Sequence, residues 1–332
     1  MKKIFLISAV AALFSLAFAG PALALKKFDM ATTYSGQNMH AETCREFAKR
    51  VNEALKGQIQ ITVHEGGALG LKDEDRFTAV ADGIVPIQSV LMGAAVGTSP
   101  IYALSTSPFF VKDFKDARLL LDIARPYYEA EAKKFNQIIL YTAPWPPSSI
   151  HAKRPIIKYE DLKGLRIRTY DKNGTDVLNK TGANAMTMSW GDVYPALATN
   201  TIDSVLTSSQ SAVAGKFWEV LTHTTRVNFA IPLNMINFNL DSFGKLTKEQ
   251  QATIIQIGKD MEKRQWKLAE EAMVEDENIC ERNGMTIVRS ISDELAAKLA
   301  ADGEMVIEDW VKRVGDAGKK IIVEFNEKRK SL

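Results

Sequence analysis

Hydrophobic periodicity divides the first part of the chain into strands and helices. Alternating or continuous apolar positions predict strands over residues 28–33, 58–64 and 84–92. Apolar positions at helical spacing predict helices between them, over residues 39–56 and 72–81. This β-α-β-α-β order predicts an α/β domain whose parallel strands are covered by helices.

The same order returns between residues 164 and 208. A strand at 165–169 is followed by a short helix, an extended run at 184–189, a helix opening at Ser189 and an apolar strand at 202–206. Two such βαβ units predict a second parallel sheet. Ligands of parallel sheets bind beyond the carboxyl ends of the strands, where Arg168 stands. Arg168 is therefore the leading candidate for ligand binding, and a solvated pair with Arg166, which shares its strand face, is the alternative.

Three prolines within residues 143–147 exclude a central strand or a helix there, because each removes a backbone donor and fixes φ. They predict a rigid crossover between two α/β lobes. The neighbouring pattern predicts a loop over 93–108, a helix over 112–136 broken around Pro126, a strand over 137–142 and a returning strand over 234–240.

One long helical pattern covers residues 247–282 and opens with a capping box from Thr247 to Gln250. A helix of about 36 residues extends about 54 Å, which is too long for one lobe, so we expect it to cross both. A short strand over 285–288 and a helical tail from residue 293 follow. We divide the chain into lobe I, residues 25–147 plus 233–277, and lobe II, residues 148–232 plus 278–332.

The N-terminus has the form of a cleaved secretory signal peptide, residues 1–24. Lys2 and Lys3 precede an apolar, uncharged run over residues 4–19, and residues 22–24 form a small-x-small cleavage site. The alternative is a retained membrane anchor, but this run is shorter than the roughly 20 residues that a span needs. We therefore expect an exported protein.

Charge and cysteine content narrow the class of protein. The chain has 42 basic and 40 acidic side chains, and the signal peptide holds two lysines and no acid, so the mature chain carries no formal net charge. Nucleic acid, whose binding needs a basic face, is not expected as a partner.

An exported protein could pair Cys44 with Cys280, but both occupy apolar positions of predicted helices, where cysteine is often a small buried hydrophobe. The pairing stays open.

No stretch carries a recognisable catalytic, cofactor or metal motif. The glycine-rich loop at 66–70 lacks G-x-G-x-x-G spacing, and His64-Glu65 has no second histidine at zinc-protease spacing. The four histidines are widely separated. We predict no catalytic residue, no cofactor and no metal site. An exported enzyme of unknown class remains an alternative, because catalytic groups can assemble in space.

An ordered set of short motifs resembles the substrate-binding proteins of TRAP (tripartite ATP-independent periplasmic) transporters. The set covers nearly the whole mature chain: Phe47-Ala-Lys49, Leu69-Gly70, Asp82-Gly83, residues 162–168, Thr181-Gly-Ala183, residues 189–194, Ala196-Leu197, Thr199-Asn200, Ile202-Asp203 and residues 217–220. The resemblance implies a two-lobed, periplasmic-binding-protein-like α/β fold with crossing strands, a hinge and one long helix spanning both lobes. It also implies a binding protein, not an enzyme, that delivers an organic acid to TRAP membrane subunits and touches the inner membrane only through them. A ligand-sensing protein without a transporter is the alternative.

The resemblance also implies roles for single residues. The arginine that pairs with a ligand carboxylate falls on Arg168, the aromatic ring beneath the ligand on Trp190, and a frequent asparagine on Thr207. The second basic residue of sialic-acid binders would fall near Ser149-Ile150 and their acidic contact near Leu91-Met92, and both are missing here. The full predicted substrate-binding set is Arg168, Trp190, Thr207, Met92, Trp145, Tyr34 and Ser149.

These departures suggest a class of ligand. One arginine implies one recognised carboxylate, since a guanidinium donates two parallel hydrogen bonds to it. Met92, Trp145 and Thr207, in place of charged groups, make the rest of the predicted pocket less polar. We therefore predict an apolar or aromatic monocarboxylate, such as a 2-oxo acid or an indole acid. The alternative for Trp145 is packing between the lobes without touching a ligand.

Overall fold

The structure is a computed structural model that describes residues 24–332. The predicted signal peptide lies outside these residues, except for its last position. The strands are β1 Lys26–Thr32, β2 Ile59–His64, β3 Ile87–Leu91, β4 Gln137–Pro144, β5 Ser148–Ala152, β6 Arg166–Thr169, β7 Asn184–Thr187, β8 Ser204–Ser208, β9 His223–Thr225, β10 Leu233–Asn239 and β11 Thr286–Val288. The helices are α1 Met39–Ala54, α2 Arg76–Ala81, α3 Phe114–Lys134, α4 Lys172–Lys180, α5 Val193–Ala198, α6 Ser209–Ala214, α7 Leu240–Gly244, α8 Lys248–Arg282, α9 Asp293–Val314 and α10 Asp316–Arg329. Within residues 24–332, no helix combines the length and the apolar character that crossing a membrane requires.

The first sheet has the strand order β2-β1-β3-β10-β4. Strand β1 pairs in parallel with β2 and β3, which confirms the predicted β-α-β-α-β unit. Strand β10 enters antiparallel between β3 and β4. A strand from late in the chain thus completes a sheet that the first part of the chain begins.

The second sheet has the order β11-β9-β5-β8-β6-β7. Strand β6 pairs in parallel with both β7 and β8, as the two predicted βαβ units require. Strand β5 runs antiparallel to β8 and β9. The carboxyl ends of β6 and β8 therefore lie side by side at one edge of the sheet.

The chain crosses between the sheets at the predicted proline-rich segment and returns after β9. Strand β4 extends to Pro144 and lies at the edge of the first sheet, where a missing backbone donor is tolerated. The next strand, β5, already belongs to the second sheet. The predicted crossover is confirmed, and the mixed α/β fold has two lobes.

The long helix α8 begins at the predicted capping box, in which the Thr247 and Gln250 side chains each bond the other residue's backbone nitrogen. It has 35 residues, or about 52 Å of length. It packs against α1 and β4 of the first sheet and against α6 and β11 of the second. The expected crossing of both lobes is therefore confirmed.

Three local predictions differ from the structure. Helix α3 runs unbroken through Pro126, and residues 92–97 and 100–106 form short 3-10 helices instead of a loop. Helix α2 starts at Arg76 instead of residue 72. Residues 72–75 are left in a turn, and this shift matters for the cavity described below.

The C-terminal helices touch elements of both halves. Helix α9 packs against α4 and the 3-10 helix at 100–106, and α10 packs against α3. Ile321 and Phe325 of α10 are fully buried in the same cluster as Leu120 and Leu121 of α3. The proposed residue boundaries of lobes I and II stay a prediction.

Candidate functional site

A cavity is lined by residues of both sheets, near the carboxyl ends of β1, β3, β6 and β8. About 490 Å³ of space, counting the part of its mouth that is open to solvent, is not filled by protein atoms. The lining residues are Tyr34, Asp73, Leu91, Ala94, Trp145, Ser148, Arg168, Tyr170, Trp190, Thr207, Ser208, Ser211 and Pro232. A ligand in this space would be small and would contact both halves of the molecule.

Arg168 reaches the cavity from β6 and is only 4% exposed. Its Nε donates a hydrogen bond to the Met188 carbonyl at 2.8 Å. Within residues 24–332, its terminal nitrogens have no hydrogen-bond partner and no carboxylate lies within 4.0 Å. Burial lowers its pKa to about 10, and the nearby charge of Asp73 opposes this shift. A buried guanidinium with unused donors is costly unless an anion joins it.

Arg166 has different surroundings, although it lies two residues away on the same strand. Its Nε lies 3.1 Å from Asp203 Oδ2, and its Nη1 donates to the Asn200 carbonyl at 2.8 Å. Its side chain is 46% exposed. Arg166 is therefore the solvated arginine of the pair, and Arg168 is the one that faces the cavity.

Trp145 is held in the cavity wall by a polar and an aromatic contact. Its Nε1 donates to Asn234 Oδ1 at 2.8 Å. Its ring stacks on His40, with centroids 3.9 Å apart, and meets Tyr34 edge-on at 5.1 Å. Burial lowers the pKa of His40 to about 3, so the stacked imidazole is neutral. The structure thus brings Tyr34 and Trp145 together at the site.

Trp190 also lines the cavity and packs on Phe217, with ring centroids 6.0 Å apart. Its backbone nitrogen donates to Asp73 Oδ2 at 3.3 Å. The neighbouring Ser189 hydroxyl donates to Glu74 Oε2 at 3.4 Å. Asp73 and Glu74 follow β2 of the first sheet, whereas Ser189 and Trp190 follow β7 of the second. These contacts therefore join the two halves beside the cavity.

Met92 and Ser149 do not line the cavity. Met92 is fully buried in the hydrophobic core below β3, and the lining residue there is Leu91. Ser149 is also buried, and its neighbour Ser148 lines the cavity instead. Ser148 and Ser149 are successive residues of β5 and point in opposite directions, whereas Met92 begins the 3-10 helix that follows β3.

Hydroxyl groups make the cavity more polar than the sequence suggests. Thr207, Ser148, Ser208 and Ser211 all line it. Ser148 Oγ donates to Tyr170 Oη at 3.2 Å, and Ser208 Oγ accepts from the Ser211 nitrogen at 3.2 Å. The cavity lining therefore combines aromatic rings with hydroxyl groups that can form hydrogen bonds to a polar ligand.

Sequence reasoning missed Asp73, Tyr170 and the serines. The helical pattern places Asp73 inside a helix over 72–81, whereas it lies in the turn before α2. A usable signal existed for Ser208, which ends β8 beside the carboxyl end of Arg168's strand. Tyr170 follows that strand directly, so its position also pointed to the cavity.

Gly93 and Asp171 come very close beside the cavity. Asp171 caps α4, with Oδ1 accepting from the Gly174 nitrogen at 3.0 Å. A Cβ on Gly93 would lie 2.7 Å from Asp171 Oδ2 and 3.0 Å from Thr106 Cγ2. Burial raises the pKa of Asp171 to about 6. Only glycine fits at position 93 without displacing these neighbours.

His151, Cys44 and Cys280 could in principle carry chemistry, but all three are buried side chains that do not line the cavity. His151 is buried, its Nε2 donates to the Thr207 carbonyl at 3.2 Å, and burial lowers its pKa to about 4. Cys44 and Cys280 are both buried and free, so the structure contains no disulfide between them. In residues 24–332, no group of three or more histidine, cysteine, aspartate or glutamate residues is arranged to hold a metal ion.

Residues 30–323 match the model of the bacterial extracellular solute-binding protein family 7, also named DctP. The chain belongs to this family. Its relatives are TRAP substrate-binding proteins, so the resemblance found in the sequence is confirmed. Members of the family are extracytoplasmic receptors for solutes and are not enzymes.

Three relatives illustrate the range of the family. Two Bordetella pertussis extracytoplasmic solute receptors that bind pyroglutamic acid, DctP7 and DctP6, are each 27% identical to this TRAP protein, with TM-scores of 0.88 and 0.87. Each alignment covers 91% of this chain, together with 99% of DctP7 and 100% of DctP6. The 2,3-diketo-L-gulonate-binding periplasmic protein YiaO of Escherichia coli is 23% identical over 77% of this chain and 78% of its own length.

Proposed function

We propose that this protein is the periplasmic receptor of a TRAP transporter and captures a small organic monocarboxylate through Arg168. The observation that carries the proposal is the buried guanidinium of Arg168 at the cavity wall, without a carboxylate partner in the described chain. A ligand carboxylate would accept two parallel bonds from its terminal nitrogens. The Nε bond to Met188 would meanwhile hold the guanidinium plane in place.

The other lining residues support a compact, partly unsaturated ligand. The rings of Tyr34, Trp145 and Trp190 offer apolar faces and edges. Burial of apolar ligand surface against them contributes about 25 cal/mol per Å² to the free energy of binding. An apolar or aromatic acid, such as a 2-oxo acid or an indole acid, therefore remains a candidate. Pyroglutamate joins these candidates because two receptors with 27% identity bind it.

Export and delivery complete the proposal. Removal of residues 1–24 would release the mature receptor into the periplasm. Ligand binding would favour a closed arrangement through its greater affinity for that state. The bonds from Trp190 to Asp73 and from Ser189 to Glu74 are the kind of contact that closure would form. The closed receptor would then pass its ligand to the TRAP membrane subunits.

Isothermal titration calorimetry on the mature protein tests the role of Arg168. The ligands are pyroglutamate, a 2-oxo acid and indole-3-acetate, with a neutral sugar and a C4-dicarboxylate for comparison. Arg168→Ala should weaken binding of the preferred monocarboxylate by about 3–5 kcal/mol, because the buried carboxylate would lose its partner.

Arg166→Ala is the matched control, since Arg166 lies on the same strand but pairs with Asp203 at the surface. It should leave affinity nearly unchanged. Binding of neutral sugars alone, or an affinity that Arg168→Ala does not change, would refute the proposed function.

A further inference from the structure

Asp73 carries the only carboxylate among the thirteen described residues that line the cavity. Its side chain is 20% exposed. It lies in the turn at residues 72–75 and reaches the cavity from the side of the first sheet, whereas Arg168 reaches it from the second. The cavity therefore has a negatively charged hydrogen-bond acceptor, Asp73, on one half and a positively charged hydrogen-bond donor, Arg168, on the other.

The Asp73 carboxylate keeps much of its capacity to accept hydrogen bonds. Its Oδ1 lies 3.5 Å from the Nε of Arg76, and its Oδ2 accepts from the Trp190 nitrogen at 3.3 Å. Both distances are longer than typical for such bonds. An ionised carboxylate has about four acceptor sites, so a ligand donor can still be accommodated.

Asp73 and Arg168 are close but do not neutralise each other directly. No ion pair within 4.0 Å joins them in the described chain. Burial has the largest effect on the pKa of Arg168 and lowers it. The charge of Asp73 has the next largest effect and raises that pKa. Both groups line the same unfilled space, which can hold a small molecule.

We infer that Asp73 is a specificity-determining residue that selects monocarboxylates bearing an N–H or O–H donor close to the carboxylate. The inference rests on the proposed function, in which Arg168 binds the carboxylate. A lactam, an indole or a hydroxy acid would then bridge Arg168 and Asp73. A 2-oxo acid without a donor would leave Asp73 facing carbonyl oxygen, and a second carboxylate there would be repelled. A site built to bond a donor rejects analogues that lack it.

Two matched pairs of acids test this selection by calorimetry. The first pair is pyroglutamate and 3-oxocyclopentane-1-carboxylate, in which a CH₂ group replaces the ring N–H. The second pair is 2-hydroxypropanoate and 2-oxopropanoate. In at least one pair, the wild-type protein should bind the donor-bearing acid at least about tenfold more tightly, as expected for a hydrogen bond to a charged group.

Asp73→Ala should remove most of this preference, and Asp73→Asn, which keeps an acceptor, should retain part of it. Asp75→Ala is the control, because Asp75 is an exposed carboxylate two residues away in the same turn. It should leave the ratio of affinities unchanged. The ratio is the decisive quantity, because a purely structural role of Asp73 at Trp190 or Arg76 would weaken both acids of a pair equally.

Three results separate the possible failures. Equal weakening of both acids by Asp73→Ala overturns the inference about selection. The wild-type protein could also bind both acids of each pair with equal affinity and lose that binding in Arg168→Ala. This result overturns the inference about selection, while the proposed function stands. If none of the acids binds in a way that depends on Arg168, the proposed function is overturned, and the inference is overturned with it.

Discussion

Arg166 and Arg168 differ in their surroundings although both belong to β6 and share one strand face. Arg166 lies near the start of the strand and pairs with Asp203 at the surface. Arg168 lies near its carboxyl end and is buried at the cavity. The position of Arg168 near the carboxyl end of a parallel strand, where ligands bind, fits its place at the cavity wall, and its ligand role stays a prediction.

Asp276 on α8 is a buried acidic residue that does not line the cavity. It is 8% exposed, and its Oδ2 has no partner within residues 24–332. Burial, followed by the charge of Glu275, raises its pKa to about 7. The native state therefore holds a proton between about pH 4 and 7 that the unfolded state has released, so this group lowers stability progressively as the pH rises through that window.

Asp276→Asn should therefore raise the free energy of unfolding by roughly 1–3 kcal/mol at pH 8. The gain should shrink as the pH falls from 7 towards 4 and disappear below that. Urea unfolding at several pH values measures it. Asp260→Asn, an exposed carboxylate on the same helix, should show no such dependence, and a gain for Asp276→Asn that is constant with pH would contradict the assignment.

At the scale of elements, periodicity predicted most strands and helices, because it depends only on residues two to four positions apart. The boundaries were less predictable. Helix α2 begins four residues later than its pattern, which moves Asp73 from a helix into a cavity-lining turn. The residues of β3 and β5 that line the cavity are Leu91 and Ser148, each one position before the predicted Met92 and Ser149.

Pro126 is the clearest conflict between local preference and tertiary structure. It is exposed within α3, which continues on both sides of it and buries Leu120, Leu121 and Tyr128. Packing of that apolar face outweighs the loss of one backbone hydrogen bond, the one to the Asp122 carbonyl.

Pro126→Ala should restore that bond and stabilise the protein by about 1–3 kcal/mol. Thermal unfolding would show this as a higher midpoint. Pro155→Ala, an exposed change outside the helices, is the control and should not stabilise. A lower midpoint for Pro126→Ala would mean that α3 is adapted to the proline.

For the whole molecule, the lobes and the long helix were predictable, whereas the contacts between the lobes were not. The bond from Trp190 to Asp73 joins residues 117 positions apart. No periodic pattern encodes such a meeting, because it depends on how two separately formed sheets approach each other. The same holds for the contact between Gly93 and Asp171.

Gly93→Ala should weaken ligand binding at least about tenfold, because a new methyl group would overlap Asp171 and oppose the close approach of the halves. Calorimetry with the preferred acid measures this. Gly97→Ala is the control, since Gly97 lies in the same 3-10 helix with no atom within 4 Å of a new Cβ. Equal affinities of the two variants would show that the approach at Gly93 plays no part in binding.

The placement of tryptophan gives this receptor a built-in optical signal. Of its five tryptophans, Trp145 and Trp190 line the cavity, and Trp218, Trp266 and Trp310 do not. A ligand that displaces water from these two indole rings would change their emission against a constant background from the other three. Binding can thus be followed by intrinsic fluorescence, without a label, in the unmodified chain.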